Sequence, residues 1–368
     1  MTMPRTIVLP RKYIQQEGLL AEAGRYLGLL GKRPLLLWGH RTREACHGLL
    51  LPGLRATNLE PIETPFAGEC TRREAERIAH EASARGADVV VGLGGGKAID
   101  AAKAAAVFAH LPVALAPTIA STDAPTSACT VWYDDGGDCV GFDLWPFNPD
   151  LILVDTGVIA RAPVRYFVAG LGDALATWPE ARAAGASGAV SCAGGVPTMT
   201  ALTMARLCFE TLMECGAEAR RDVAAHRVTA AVERVVEATT LLSGIGWESG
   251  GLACAHAIAN HLPSLPETHD LLHGEKVAFG LMCQLCLERG LDRGEVERIV
   301  DFMVEVGLPV TFGELTMDDI PRARIEAFAA RVTAPGSFIH NHDFEVTAET
   351  VVDALFAADA LGRTRRHG

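Results

Sequence analysis

A short apolar run that ends in three glycines constrains the fold of this chain more than any other feature. Residues 87–100 read ADVVVGLGGGKAID, and the β-branched run at 87–93 predicts a buried parallel strand. The glycines predict a tight turn, and the alanine-rich segment 97–106 predicts a helix. Free backbone N–H groups at the start of such a helix bind a phosphate well, and Lys97 or Lys103 would add positive charge. A tight connection in any α/β protein has the same pattern, so this turn alone does not establish a nucleotide site.

Strand-like and helix-like segments alternate in the first half of the chain, and only helix-like segments follow. Further strands are predicted at residues 34–38, 112–116 and 149–155, with a hairpin at 130–144. Helices are predicted at residues 13–30, 44–50, 71–84 (with Thr71 as N-cap), 165–184, 198–215, 217–242, 248–261 and 276–289. This alternation is typical of a doubly wound parallel sheet, whose ligands bind beyond the carboxyl ends of its strands. We expect an α/β dinucleotide-binding domain at 1–158 and an all-helical metal and substrate domain at 159–368.

Composition and charge exclude several classes of protein. A length of 368 residues is sufficient for two domains, and the net charge of −12 argues against nucleic acid as the main partner. No apolar run reaches the ~18 residues of a membrane helix, and the first residues lack the apolar stretch of a secretory signal. Five of the ten cysteines (Cys192, Cys208, Cys254, Cys283 and Cys286) lie in apolar or helical stretches, which favours reduced thiols. We therefore expect a cytoplasmic protein that has neither nucleic acid nor a membrane as partner.

Three side chains of the second half have the chemistry of a metal site. Asp173, His256 and His273 each lie among small or apolar neighbours. One carboxylate and two imidazoles can hold Zn²⁺ and leave a position open for water or substrate. No local spacing links the three residues, so each also has a purely structural explanation that is equally good. Asp173 could be a helix cap, His256 a hydrogen-bonded core residue and His273 a turn residue. The competing histidines are His261, His269, His340 and His342.

Five ordered blocks give the chain a specific resemblance. They read VVGLGGGKAIDAAKAAA, PTIASTDAPTSA, GLGDALATWPEARAA, SGIGWESGGLACAHAIANHL and HGEKVAFG. In this order they resemble the glycerol dehydrogenase branch of the metal-dependent, iron-containing-type alcohol dehydrogenase superfamily, over nearly the whole chain. The resemblance implies a dehydroquinate synthase-like fold with an N-terminal nucleotide-binding α/β domain and a C-terminal all-helical domain. Members of this family are usually homo-oligomers, so we expect a homo-oligomer.

The resemblance also implies roles for individual residues. It makes Asp173, His256 and His273 the metal ligands, and it places Asp123 next to the substrate. Thr177 stands where other branches have a fourth ligand, a histidine, and this difference implies Zn²⁺ rather than Fe²⁺ or Mn²⁺. The positions that correspond to the pyrophosphate cradle are Gly95, Gly96 and Lys97. The positions that correspond to other cofactor contacts are Thr118, Ser121, Ser127, Cys129 and Tyr133.

Two positions depart from the family pattern. NAD-dependent members commonly have an Asp where this chain has Gly39, and that carboxylate accepts hydrogen bonds from the adenosine ribose. Without it, and with His40 and Arg41 nearby, we expect NADP(H) to be accepted besides NAD(H). Trp247 replaces the usual Phe on the substrate side, which favours a small polyol, hydroxyketone or aldehyde other than glycerol.

These observations predict a metal-dependent, NAD(P)-linked oxidoreductase. It would interconvert a small polyol or secondary alcohol and its ketone or aldehyde, with Zn²⁺ polarising the substrate oxygen and hydride passing to nicotinamide. Asp123 would orient the second hydroxyl or pass the proton, although a loop cap is an alternative role and water an alternative route. The alternative functions on this fold are a dehydroquinate synthase-type lyase-cyclase and a sugar-alcohol phosphate dehydrogenase. Both need several cations around a phosphate, whereas the helical blocks offer mainly Lys276. A nucleotide-binding sensor is the non-enzyme alternative.

Overall fold

The secondary structure follows the alternation of the sequence. The computed structural model describes residues 3–367, without the side chains of residues 40 and 367. The strands are β1 Arg5–Thr6, β2 Tyr13–Gln15, β3 Pro34–Trp38, β4 Ile62–Pro65, β5 Val89–Gly94, β6 Val113–Pro117, β7 Cys129–Tyr133, β8 Cys139–Leu144, β9 Leu151–Val154 and β10 Val196–Pro197. The α-helices are α1 Ala23–Leu27, α2 His40–Ala56, α3 Arg72–Ala84, α4 Gly96–Ala109, α5 Thr156–Arg161, α6 Val164–Ser187, α7 Met199–Ala224, α8 Ala230–Glu237, α9 Ser243–Gly250, α10 Cys254–His261, α11 His273–Leu287, α12 Arg293–Val306, α13 Arg322–Val332 and α14 Ala348–His367.

One parallel sheet organises the first half of the chain. Its strands pair in the order β2-β9-β6-β5-β3-β4, and each neighbouring pair is parallel. Successive side chains of a strand point to opposite faces, so Leu35 and Leu37 of β3 enter one apolar cluster, whereas Leu36 and Trp38 enter another. Both faces of the sheet are therefore covered, and the predicted doubly wound parallel sheet is confirmed.

The described chain forms two compact units. One comprises residues 8–167 and 221–244 and contains the parallel sheet. The other comprises residues 3–7, 168–220 and 245–367, and it is helical apart from the two-residue pairing of β1 with β10. The all-helical character of the second half is thus confirmed in the main. The boundary between residues 158 and 159 stays a prediction, because the two units interleave along the chain.

Several expected elements have different bounds. The predicted helix at 13–30 is wrong at its start, because Tyr13–Gln15 forms the short edge strand β2 and Gly18 has a φ of 77° ahead of the helical residues. The predicted helix at 217–242 is interrupted by residues 225–229, and Thr229 caps the new helix α8. The predicted helix at 248–261 breaks at Gly251, whose φ of 98° is incompatible with a continuing helix. This break creates a new N-terminus at α10.

Other local predictions agree with the structure. The side chain of Thr71 accepts a hydrogen bond from the backbone N–H of Glu74 and caps α3 as expected. Strands β7 and β8 form the predicted antiparallel hairpin. All ten cysteines are free thiols. Within residues 3–367, none of the helices combines the length and the apolar character needed to cross a membrane.

Candidate metal centre and cofactor turn

Three helices of the helical unit bring Asp173, His256 and His273 together. Their donor atoms all lie within 4.8 Å of one another, although the residues are distant in sequence. Oδ1 of Asp173 lies 3.4 Å from Nε2 of His256 and 3.4 Å from Nε2 of His273. The two imidazole rings are 5.6 Å apart between centroids and inclined by 49°. One carboxylate oxygen and two imidazole nitrogens therefore converge on one point.

Glycines beside two of these residues allow the helices to approach closely. A Cβ atom on Gly172 would overlap the carbonyl of Gly274, and one on Gly274 would overlap the carbonyl of Ala169. Gly172 precedes Asp173 on α6, and Gly274 follows His273 on α11. The absence of side chains at these positions therefore lets Asp173 and His273 reach a common point.

The electrostatics of this cluster fit a dication. Burial by itself raises the pKa of Asp173, but His273 and His256 more than offset this and hold it well below its ordinary value. Burial lowers the pKa of His256, and Glu180 and Asp173 again outweigh the burial and raise it. A proton on His256 therefore supplies positive charge where a metal ion would otherwise balance the buried carboxylates. The side chain of His273 is 41% exposed, whereas that of Asp173 is 1% exposed, so the cluster is open on the His273 side.

Glu180 belongs to this cluster and was missed from the sequence. Its Oε2 lies 2.5 Å from Nδ1 of His256, and its Oε1 accepts hydrogen bonds from the backbone N–H groups of Ala253 and His256, both at 2.8 Å. The side chain is fully buried. Glu180 lies seven residues, or about two helical turns, after Asp173, which puts both carboxylates on one face of α6. This spacing is the sequence feature from which Glu180 could have been predicted.

The donor set fits the metal that the sequence predicts. Two neutral imidazoles and one carboxylate form a three-residue site of the kind that holds catalytic Zn²⁺ and leaves one position open. Thr177 lies one turn after Asp173 on α6, and its methyl group would meet a Cβ atom on Gly246 at 2.5 Å. A histidine at position 177 would compete with the backbone of α9 for this space. The structure therefore offers three ligands at this point rather than four.

The competing histidines make other contacts. Nδ1 of His261 bonds to the carbonyl of Ala257, and Nε2 of His269 bonds to the carbonyl of Pro263. Nε2 of His340 bonds to the carbonyl of Thr333. His342 is buried, with its Nδ1 4.0 Å from Glu288. Within residues 3–367, none of these four joins a metal-type cluster of three.

The predicted phosphate-binding turn lies at the carboxyl edge of the sheet in the other unit. Strand β5 ends at Gly94, Gly95 is the N-cap of α4, and no side chain caps this helix. A Cβ atom on Gly95 would lie 2.8 Å from Ile119, whereas one on Gly96 would have ordinary room beside Thr122. The first N–H groups of α4 thus remain available to an anion. Thr118 lies beside the turn, since its N–H donates to the carbonyl of Gly94 at 3.0 Å.

The two lysines near this turn differ in their contacts. Lys97 contacts both carboxylate oxygens of Glu69, at 2.6 and 2.8 Å, and its ammonium lies 4.5 Å from the centroid of the Tyr133 ring. It is half-exposed, so its role in the pyrophosphate cradle stays a prediction. Lys103 is buried, pairs with Asp100 at 2.8 Å and donates to loop carbonyls including that of Cys129. The expectation that Lys103 adds charge at the turn is therefore wrong.

The remaining cofactor candidates line the loop after β6 and the start of the hairpin. Ser121 is half-buried in this loop. Ser127 is buried and its hydroxyl donates to the carbonyl of Ala124 at 3.2 Å. Cys129 begins β7 as a buried free thiol, and Tyr133 ends the same strand. These side chains lie in the same unit as the glycine turn, and their contacts with a cofactor stay a prediction.

Asp123 lies in the loop after β6 and is buried. Its side chain makes no capping hydrogen bond at the short 3-10 turn that follows, which counts against the alternative role as a loop cap. Instead, Oδ2 of Asp123 accepts a 2.6 Å hydrogen bond from the hydroxyl of Ser243. A Cβ atom on Gly244 would overlap Oγ1 of Thr126 in the same loop. Ser243 and Gly244 therefore hold this loop in place.

Gly39 follows β3 and is the N-cap of α2. Its φ of −66° and ψ of 148° suit any residue, and an added Cβ would lie 3.5 Å from Thr42, an ordinary contact distance. Strand β3 is the sheet neighbour of β5, so Gly39 and the glycine turn lie at the same edge of the sheet. Arg41 is exposed, and the side chain of His40 lies outside the described part of the chain.

Known proteins resemble this chain along its length. The model of the iron-containing alcohol dehydrogenase family matches residues 10–156. A glycerol dehydrogenase of Pseudomonas putida is 46% identical over 98% of this chain and 99% of its own length. A glycolaldehyde reductase of Halobacterium salinarum is 41% identical over 97% of this chain and 98% of its own. The crystal structure of glycerol dehydrogenase from Schizosaccharomyces pombe superimposes with a TM-score of 0.95 at 32% identity, covering 100% of this chain and 93% of that one. The similarity thus includes the helical unit as well as the sheet.

Proposed function

Because this chain belongs to the iron-containing alcohol dehydrogenase family, we propose that it is a zinc-dependent polyol dehydrogenase that interconverts glycerol and dihydroxyacetone. The observation that carries the proposal is the convergence of Asp173, His256 and His273 within 4.8 Å in a chain 46% identical to a glycerol dehydrogenase. A lyase-cyclase or a sugar-phosphate dehydrogenase would need several cations around a phosphate. Arg182, which lies in the same unit, is already paired with Glu288.

The chain's own residues have separate tasks in this reaction. Asp173, His256 and His273 would hold the zinc ion, which supplies the Lewis acidity that favours loss of the alcohol proton. The open side of the cluster at His273 gives a substrate oxygen access to it. Asp123, held by Ser243, would orient the second hydroxyl of the polyol or pass on the proton that the reacting hydroxyl loses.

The glycine turn would hold the pyrophosphate of a nicotinamide cofactor. The nicotinamide ring of that cofactor exchanges hydride with the substrate carbon. The free N–H groups of Gly95 and Gly96 at the start of α4 would bind its phosphate oxygens, with Lys97 adding charge. Gly39 lacks the carboxylate that would accept the ribose 2′-hydroxyl and repel a 2′-phosphate, so we propose that NADP(H) is used besides NAD(H).

A second substrate has a specific observation in its favour. Trp247 is bulkier than the usual Phe, and a 41% identical relative is a glycolaldehyde reductase. A narrower substrate site would suit a two-carbon hydroxyaldehyde better than a three-carbon hydroxyketone. Glycolaldehyde reduction is therefore the second candidate activity.

Two further expectations accompany this function. We propose a cytoplasmic location, which ten free cysteines support. We also propose a homo-oligomer, supported by the exposed apolar side chains Val140, Phe142 and Phe147 on and after the hairpin.

The decisive experiment is a reduction assay on the purified protein. Dihydroxyacetone and glycolaldehyde are each offered with NADH and with NADPH, before and after treatment with a chelator and after return of Zn²⁺. We expect turnover that the chelator abolishes and Zn²⁺ restores. Turnover that is insensitive to the chelator would refute the metal-dependent reaction, and absence of turnover with both carbonyls would refute the proposed substrates.

A further inference from the structure

We propose that Glu180 is a positioning residue that sets the ligand geometry of His256 by holding its imidazole ring and its backbone at the same time. This inference rests on the proposed function, since it assigns His256 to a metal ion. It concerns how the protein prepares a ligand before the ion arrives.

The first part of the role concerns the imidazole ring. Oε2 of Glu180 lies 2.5 Å from Nδ1 of His256. An ionised carboxylate only accepts hydrogen bonds, so this contact keeps a proton on Nδ1. In the neutral ring the lone pair is then on Nε2, the atom that lies 3.4 Å from Oδ1 of Asp173. Glu180 thus selects the tautomer in which the metal-facing nitrogen can act as a ligand.

The second part concerns the backbone of α10. This helix begins after Ala253, which has no side-chain oxygen to cap the first N–H groups. Oε1 of Glu180 accepts the N–H groups of Ala253 and His256 at 2.8 Å each, and Gln284 of α11 accepts that of Ala255 at 3.2 Å. The helix that carries the ligand is therefore capped by side chains from two other helices.

One rigid element carries both the holder and another ligand. Asp173 and Glu180 lie on α6, two turns apart on the same face. Asp173 contributes its own oxygen to the cluster, while Glu180 fixes the ring that faces this oxygen. A single helix thus carries Asp173 and the residue that holds the ring of His256. Because Glu180 is fully buried, water does not compete for its oxygens.

The substitution Glu180→Gln separates this role from simple helix capping. The amide oxygen of Gln still accepts the two backbone N–H groups, so the cap of α10 survives. The amide NH₂ then faces Nδ1 of His256 and donates to it, which puts the ring proton on Nε2. The variant therefore keeps the shape of the side chain and the cap of α10, but the ring of His256 carries its proton on Nε2, the nitrogen that faces Asp173.

Gln284→Met is the matched control. It removes the cap on the N–H of Ala255 and does not touch the ring of His256. We expect Glu180→Gln to weaken Zn²⁺ affinity about 10- to 100-fold in a chelator competition. We expect Gln284→Met to lower the melting temperature of the metal-free protein and to leave the Zn²⁺ affinity unchanged.

The outcomes distinguish the inference from the proposed function. A Glu180→Gln variant that binds Zn²⁺ as tightly as the natural protein would overturn the positioning role. If His256→Ala leaves the zinc affinity unchanged, the proposed metal site itself is wrong. Nitrogen-15 NMR of histidine-labelled natural protein tests the tautomer without any variant. In the zinc-loaded protein, a proton on Nε2 of His256 would mean that this atom is not the ligand, which overturns the proposal.

Discussion

The hydroxyl of Ser243 donates a 2.6 Å hydrogen bond to Oδ2 of Asp123, across 120 positions of sequence. Both side chains are buried, so the bond is not exchanged for one to water. A typical hydrogen bond within a protein contributes about 0.5–1.5 kcal/mol of stability. The relationship identifies Ser243 as the residue that holds Asp123 in place.

Replacement of Ser243 by Ala tests whether this bond serves the reaction. We expect kcat/KM for dihydroxyacetone to fall about tenfold, the change produced by ~1.4 kcal/mol, because Asp123 loses its fixed position. Zinc content, measured by mass spectrometry, stays the same, since Asp173, His256 and His273 are not altered. Thr239→Val is the control, because it removes a buried hydroxyl that donates to the helix carbonyls of Val235 and Val236. An equal loss of kcat/KM in both variants would indicate a general loss of stability.

The substitution Gly39→Asp tests the choice of cofactor. The backbone angles of Gly39 suit any residue and a Cβ atom there has ordinary room, so the variant should fold normally. The new carboxylate accepts the ribose hydroxyl of NADH and repels the 2′-phosphate of NADPH. We expect the ratio of kcat/KM for NADH to that for NADPH to rise about tenfold or more, corresponding to ~1.4 kcal/mol.

Gly39→Asn provides the neutral counterpart of that variant. Its amide has the same size but lacks the charge, so it should shift the ratio less than Asp does. An unchanged ratio in Gly39→Asp would mean that this position does not face the ribose. In that case the new side chain would cap α2, which adds a small stabilisation.

The parts of the fold that follow from local pattern were predictable. The run at Val89–Gly94 is apolar and β-branched, and Gly94–Gly96 leave no alternative to a tight turn, so strand, turn and helix were all anticipated. Strand β2 could not be anticipated in this way. It has only three residues, of which only Ile14 is aliphatic, and they form a strand through pairing with β9.

The metal cluster was only half predictable from the residues themselves. The chemistry of Asp173 and two histidines is visible in the sequence, but their convergence depends on three separate helices. Glu180 was missed because an acidic residue in a helix is usually at the surface, and burial becomes apparent only once α10 packs against α6. The expectation that Lys103 adds charge at the glycine turn was wrong for the same reason, because its ammonium group is buried against Asp100.

Replacement of Asp173 by Asn tests the metal centre. The amide removes a buried negative charge that lies 3.4 Å from each of two imidazole nitrogens. We expect Zn²⁺ binding to weaken and kcat to fall by about 100-fold or more, because the Lewis acid contributes several kcal/mol to the reaction. Equilibrium dialysis with Zn²⁺ and a turnover assay on the same sample check both. Full activity with normal zinc content would remove Asp173 from the ligand set.

The ten cysteines should differ sharply in reactivity. Cys139 is exposed, whereas burial raises the pKa of Cys192 to about 12 and that of Cys286 to about 11. Since the thiolate is the nucleophile, these half-buried thiols react slowly at neutral pH. We expect one fast-reacting thiol per chain in titration with a colorimetric disulfide reagent, and none in Cys139→Ser. A fast thiol that persists in this variant would contradict the burial of the others.

Trp247→Phe tests which carbonyl the protein prefers. Nε1 of Trp247 is buried without a hydrogen-bond partner among the described residues, so Phe removes an unsatisfied donor and the melting temperature should hold or rise. The smaller ring widens the substrate side that the family resemblance assigns to this residue. We expect kcat/KM for dihydroxyacetone to rise about tenfold relative to that for glycolaldehyde, the size of effect that one carbon produces in an apolar site. If the ratio does not move while the variant stays folded, Trp247 does not contact the substrate, and the difference between the two carbonyls must arise elsewhere.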